Sequence, residues 1–105
     1  MKIIRVTYTT RPAFVEQNKA NIQKVMNDLR QLNEPGLFYF SCLGPDGKTF
    51  IHTAFFKTDA DNERLLKLPS FLRFQQELKA AGFEVPPKQE LLTLVGSSDE
   101  ARFPQ

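Results

Sequence analysis

At 105 residues the chain is long enough for one domain with a modest core and too short for two. Hydrophobic residues make up 41% and charged residues 25%, the balance of an ordinary globular chain, which argues against disorder and against a membrane-embedded fold. The 14 Lys and Arg are dispersed among 12 Asp and Glu for a net charge of +2, so the basic stripe that would mark a nucleic-acid binder is missing.

The opening MKIIRVTYTT alternates apolar and polar residues where a signal peptide would carry a continuous apolar run, and nowhere do the roughly 18 apolar residues of a membrane helix follow one another. A cytoplasmic protein without a membrane partner is expected. The single cysteine, Cys42, has no intrachain partner for a disulfide, in keeping with a reducing compartment.

Residues 2–9, KIIRVTYT, set Ile4, Val6 and Tyr8 on one face and Ile3, Arg5 and Thr7 on the other, the two-residue period of a strand. Pro12 suits a first helical turn. Beyond it Phe14, Val15, Ile22, Val25, Met26, Leu29 and Leu32 recur at helical spacing, predicting a helix of about 20 residues closed by NEPG. The stretch GLFYFSCLGPDGKTFIHTAFFKT then predicts two strands paired antiparallel across Gly44-Pro45-Asp46-Gly47. Read as a three-residue bulged turn, this connection places Phe40 opposite His52 and Cys42 opposite Phe50.

TDADNERLLKL opens a short helix with Thr58 and Asp61 spaced as a capping pair. Pro69 interrupts it, Ser70 is the expected cap of a following helix carrying Phe71, Phe74 and Leu78, and Gly82 ends that helix. A turn-like EVPPK leads to a last strand, QELLTLVG, and the tail SSDEARFPQ has no clear period. The order βαββαβ predicts an α+β, ferredoxin-like domain over residues 1–97, a four-stranded antiparallel sheet with its helices on one face, followed by a tail at 98–105.

With that hairpin register, one sheet face carries Phe38, Phe40, Cys42, Phe50, His52, Ala54 and Phe56, and the other Leu37, Tyr39, Ser41, Leu43, Ile51, Thr53 and Phe55. The helices cover only one of them. The second is too apolar to be left in water, which predicts a homodimer packed sheet to sheet.

Through FVEQNKANIQKVMNDL, GLFYF, DGKTFIHTAFF, LPSFLRFQ and PPKQELLTLVGS the chain resembles the antibiotic-biosynthesis-monooxygenase-like family of the dimeric α/β-barrel superfamily. Within it the likeness is to a branch of small bacterial proteins, and it runs to Ser97. The ending SDEARFPQ departs from the glycine- and aromatic-rich ending expected there. The resemblance implies a homodimer whose two sheets form a barrel, with a pocket in each subunit between the sheet and its own helices. It spans cofactor-independent oxygenases of polyketide quinols and anthrones, haem-degrading oxygenases and proteins with no established chemistry, among which fold does not choose.

Three polar residues fall on apolar faces. Asn18 lies between Val15 and Ile22 on the stripe of the first helix, Gln75 between Phe71 and Leu78 on that of the last, and His52 on the strand face assigned to the helices. Singly, each has a plain explanation as a buried group satisfied by a neighbour. Together they predict a small-molecule pocket with a few convergent polar groups, in which His52, neutral at pH 7, is the base, Asn18 and Gln75 orient a small aromatic or apolar ligand, and Phe40 and Phe74 line the wall.

One histidine, one cysteine and scattered carboxylates make no metal cluster, no glycine-rich loop offers a phosphate cradle, and no cofactor is expected. Cys42 and His52 lack an orienting acid for nucleophilic catalysis, so Cys42 is expected as a buried core thiol. The alternative to a cofactor-independent monooxygenase is a non-catalytic dimeric binding or structural module. A haem-degrading role ranks third, because such relatives pair a helix histidine with a tryptophan and a first-strand asparagine, none of which this chain has.

Overall fold

The alternation at the start of the chain becomes β1 (Lys2–Thr10), which pairs antiparallel with β3 (Thr49–Phe56) on one side and β4 (Phe83–Leu92) on the other. β2 (Leu37–Leu43) adds to β3 and completes a four-stranded sheet in the order β2-β3-β1-β4. The computed structural model describes residues 1–101. One sheet face is covered by α1 (Val15–Leu32), α2 (Asp59–Lys67) and α3 (Pro69–Ala81), so the ferredoxin-like βαββαβ order holds with its second helix divided.

Helical periodicity supplies the covering side chains. Val15, Ile22 and Val25 of α1, Leu65 of α2 and Phe71, Phe74 and Leu78 of α3 pack on Tyr8, Phe50, Ala54 and Phe56 of the sheet. Asn33, left-handed at φ 48°, and Gly82, at φ 79°, terminate α1 and α3. Thr58 and Asp61 form the expected capping box at the start of α2.

The hairpin register differs from the sequence reading by one residue. Gly47 N–H donates to the Gly44 carbonyl at 3.0 Å, Gly44 N–H donates to Thr49 at 2.7 Å, and the Asp46 carboxylate accepts from the amides of Lys48 and Thr49, so four residues turn the chain, not three. Leu43 therefore faces Phe50, Ser41 faces His52 and Tyr39 faces Ala54. A slip of one residue moves every β2 side chain to the opposite face. Tyr39, not Phe40, shares the helix-covered face with His52, and Phe40 lies on the far face, 44% exposed. Cys42 is likewise exposed there and is not a core thiol.

Two further differences have local causes. Pro69 takes the first helical position, so α3 begins two residues early, Leu68 is its cap, and Ser70 sits inside the helix with its buried hydroxyl unpartnered among the described residues. The segment EVPPK is part of β4, not a turn. As an edge strand β4 tolerates proline, and Pro86 and Pro87 together oppose Tyr8 in a bulge between the pairs Thr7 with Lys88 and Thr9 with Val85. Residues 93–101 form neither helix nor strand, and residues 102–105 of the tail lie outside the described residues. Among the described residues no helix is long and apolar enough to cross a membrane.

Candidate functional site

His52 sits on the inner face of β3, opposite Val6 of β1 and Ser41 of β2. Side chains two residues away along those neighbouring strands reach it diagonally: Tyr8 from β1 and Tyr39 from β2. The Tyr8 hydroxyl lies 2.7 Å from His52 Nε2, and the Tyr39 hydroxyl 2.8 Å from His52 Nδ1. Asn18, wholly buried on α1, donates from Nδ2 to the Tyr8 oxygen at 2.9 Å. Four side chains from four elements thus form one hydrogen-bonded chain.

Aromatic packing holds this chain in place. Tyr8 stacks on His52 at 5.3 Å and 16° and on Phe50 at 5.7 Å, while Phe74 meets the imidazole at a tilt, 5.5 Å away. Burial lowers the His52 pKa to about 4, so the ring is neutral at pH 7, with one nitrogen donating and the other accepting. Burial also pushes both phenols above their usual range, so Tyr8 and Tyr39 are neutral too, although the hydrogen bond from Asn18 offsets part of this at Tyr8. Neither imidazole nitrogen is left over to meet a ligand directly.

A cavity of about 430 Å³ opens beside this chain, between the sheet and α3, within the size range of small-molecule sites. Tyr8, Tyr39 and His52 form its polar floor. Val6, Phe71, Phe74, Leu78 and Phe83 supply apolar walls, and Gln75, Gln89 and Lys79 stand at the rim. A smaller annex of about 140 Å³ shares Val6, Tyr39, His52, Phe71, Gln75 and Gln89 and runs beneath α2.

The sequence-predicted residues separate in this geometry. His52 and Phe74 border the cavity. Gln75 borders it too, but it is exposed and makes no hydrogen bond to the buried chain. Asn18 does not line the cavity and touches it only through Tyr8. Phe40 is on the other side of the sheet. Among the described residues no group of acids, histidine and cysteine is arranged to hold a metal ion.

No family model matches the chain, and no curated protein sequence does. Solved structures match it across nearly its whole length. An antibiotic biosynthesis monooxygenase superposes with a TM-score of 0.75 at 13% identity, over 91% of this chain and 100% of that one. A mutant of SnoaB, a cofactor-independent oxygenase from Streptomyces nogalater, gives 0.66 at 16% identity over 92% and 96%. The chain has the antibiotic-biosynthesis-monooxygenase-like fold. A protein of Pseudomonas aeruginosa shares this fold at 22% identity, with a TM-score of 0.74 over 90% of this chain and 94% of that one.

Within the monooxygenase-like fold, the two residues that sequence reasoning missed are Tyr8 and Tyr39. A signal for Tyr8 was present, since it alternates with Ile4 and Val6 on the face that became the core. The signal for Tyr39 was hidden by the hairpin register, because a four-residue loop is required to bring it to the face of His52.

Proposed function

We propose that the protein is a homodimeric, cofactor-independent oxygenase that binds a small hydroxylated aromatic molecule in the cavity beside His52. The observation that carries this reading is the hydrogen-bonded floor of Tyr39, His52 and Tyr8 beneath otherwise apolar, largely phenylalanine walls. An aromatic hydroxyl that has released its proton to solvent at the cavity rim is electron-rich enough to reduce dioxygen itself. One oxygen atom becomes a quinone carbonyl in place of a ring C–H, and the other leaves as water with that hydrogen and the hydroxyl proton. The protein then has only to hold the ring, exclude water and steady the oxyanion. The fold shared with SnoaB, described as a cofactor-independent oxygenase, supports the same chemistry. The setting we infer is the cytoplasm, where the exposed Cys42 thiol stays reduced.

Titration with dihydroxynaphthalene under argon, followed by oxygen-electrode measurements in air, tests this reading. Saturable binding is expected, weakened tenfold or more in His52→Ala with the far-ultraviolet circular dichroism retained, together with oxygen uptake above the autoxidation rate. The absence of saturable binding would sink it. The second reading, a binding module without chemistry, is favoured by the engagement of both imidazole nitrogens. Binding without oxygen uptake selects that reading.

The homodimer is inferred from the sheet face away from the helices. Around β2 and β3 this face presents the exposed Phe40 and the half-buried Ile51 and Thr53, whereas around β1 and β4 it carries the Arg5 and Glu90 ion pair. An apolar patch bounded by charge is the form of an association surface. In sedimentation velocity at micromolar concentration the wild type should run as a dimer. Ile51→Asp, which would bury an unpaired carboxylate, should weaken association at least tenfold, about 1.4 kcal/mol or more. A monomeric wild type would remove the dimer from the reading.

A further inference from the structure

We infer that the hydrogen-bonded chain from Asn18 through Tyr8 and His52 to Tyr39 runs in one direction and ends by presenting the Tyr39 hydroxyl proton to the cavity, so that the ligand is met by a donor suited to a quinone-type carbonyl or an ionised aromatic hydroxyl. The inference deepens the ligand-binding reading above and rests on it for the presence of an aromatic ligand.

The direction follows from proton counting. Asn18 Nδ2 is a donor only, and it points at the Tyr8 oxygen. Tyr8 has a single proton, and the other polar neighbour of its oxygen is His52 Nε2 at 2.7 Å, so the proton lies on that line. Nε2 is then the accepting nitrogen. In a neutral imidazole the ring proton is consequently on Nδ1, where it donates to the Tyr39 oxygen at 2.8 Å. Nothing within the chain remains to accept the proton of Tyr39, whose side chain borders both the cavity and its annex.

Asn18 is the residue that sets this polarity. In the orientation found, its Oδ1 is the atom without a partner among the described residues. Turning the amide over would instead strand a buried NH₂ group. Orphaned buried donors are rarer in proteins than under-satisfied carbonyl oxygens, so the observed orientation is the favourable one.

The roles shift accordingly. Tyr39 is the group that touches the ligand oxygen, and His52, Tyr8 and Asn18 are positioning residues that aim and polarise its hydroxyl. His52 does not draw a proton from the ligand itself. A hydroxyl that must donate is poorly served by Tyr39, whereas the oxyanion left after its ionisation is well served.

Because His52 is the sole histidine, its tautomer is readable without ambiguity by nitrogen-15 long-range correlation NMR. The Nδ1–H tautomer is expected at pH 7, and an Nε2–H tautomer would overturn the direction. In Asn18→Asp an ionised carboxylate can only accept from Tyr8, so the tautomer should switch to Nε2–H as the pH is raised through the ionisation of the new carboxyl group, followed by its carbon-13 shift. A folded variant that keeps Nδ1–H with its new carboxylate ionised would show that Asn18 does not set the polarity.

The ligand end is tested with para-nitrophenol, whose colour reports its ionisation. Bound to the wild type, it should ionise about one pH unit lower than free dye, a tenfold change in ionisation constant. Tyr39→Phe should bind the dye and abolish most of that shift. The titratable groups facing the cavity are Tyr8, Tyr39, His52 and, at the rim, Lys79. Lys79 also favours an anion but is unchanged in Tyr39→Phe, so the comparison isolates the hydroxyl. Dye that binds with its ionisation midpoint unchanged or shifted to higher pH overturns the direction and leaves the ligand reading standing. If neither the dye nor dihydroxynaphthalene binds, the ligand end of the proposal falls together with that reading.

Discussion

Phe74→Ala is expected to destabilise the protein by about 3–5 kcal/mol, the range for truncating a buried phenylalanine. Phe74 is only 6% exposed, tilts against Phe71 at 5.8 Å and against His52 at 5.5 Å, and belongs to the cluster that joins α3 to the sheet. Its removal deletes apolar contact on both sides and opens a gap that runs into the existing cavity, where the walls have little means of collapsing. Leu72, two residues earlier and 45% exposed, is the control, and Leu72→Ala should cost no more than about 0.5 kcal/mol. Urea denaturation at pH 7 distinguishes the two. Equal midpoints for the variants would mean that the α3 interface does not carry the fold.

Acidification is expected to cost the folded protein roughly 3 kcal/mol through His52 alone. In the unfolded chain the imidazole takes up a proton near its ordinary pKa of 6.5, whereas burial in the folded chain delays uptake to about pH 4. Between those values the unfolded state binds more protons. The contribution of the neutral ring is therefore complete above pH 6.5 and is lost progressively as the pH falls to about 4. Asp46, whose carboxylate accepts from the Thr49 hydroxyl, and Glu90, held by Arg5, are both kept below the usual carboxylate range, so they add their loss at still lower pH. Urea midpoints measured at pH 6.5 and near pH 4.5 should differ strongly in the wild type and much less in His52→Leu. Coincident wild-type midpoints would show that the ring is not buried in its neutral form.

Most of the scaffold was legible because the signals that define it are local. The alternation of Ile4, Val6 and Tyr8, the helical recurrence of Val15, Ile22 and Val25 and the Thr58 and Asp61 capping pair each depend on a few neighbouring residues, and the fold uses them as written. The site was less legible because it depends on register between strands. Gly44-Pro45-Asp46-Gly47 is compatible with turns of three or four residues, and the choice rests on Asp46 reaching forward to the amides of Lys48 and Thr49. That choice exchanges Phe40 for Tyr39 beside the histidine. The role of Asn18 was similarly obscured: its place on the apolar stripe of α1 was evident, but its partner, the Tyr8 hydroxyl, comes from another element. Proline misled at β4 because its usual meaning as a turn residue gives way at a sheet edge, where a missing amide donor costs little.

The two open edges of the sheet differ in their resistance to misassembly. On β4, consecutive Pro86 and Pro87 remove two amide donors in succession and coincide with a bulge, so a foreign strand finds neither a continuous row of hydrogen-bond donors nor a flat surface to extend. On β2, the seven residues LFYFSCL contain no charge and no proline. Segments of that composition template cross-β stacking when their edge is open. The β4 edge is therefore interrupted by its own backbone against strand addition, whereas the β2 edge offers an unbroken, largely apolar segment.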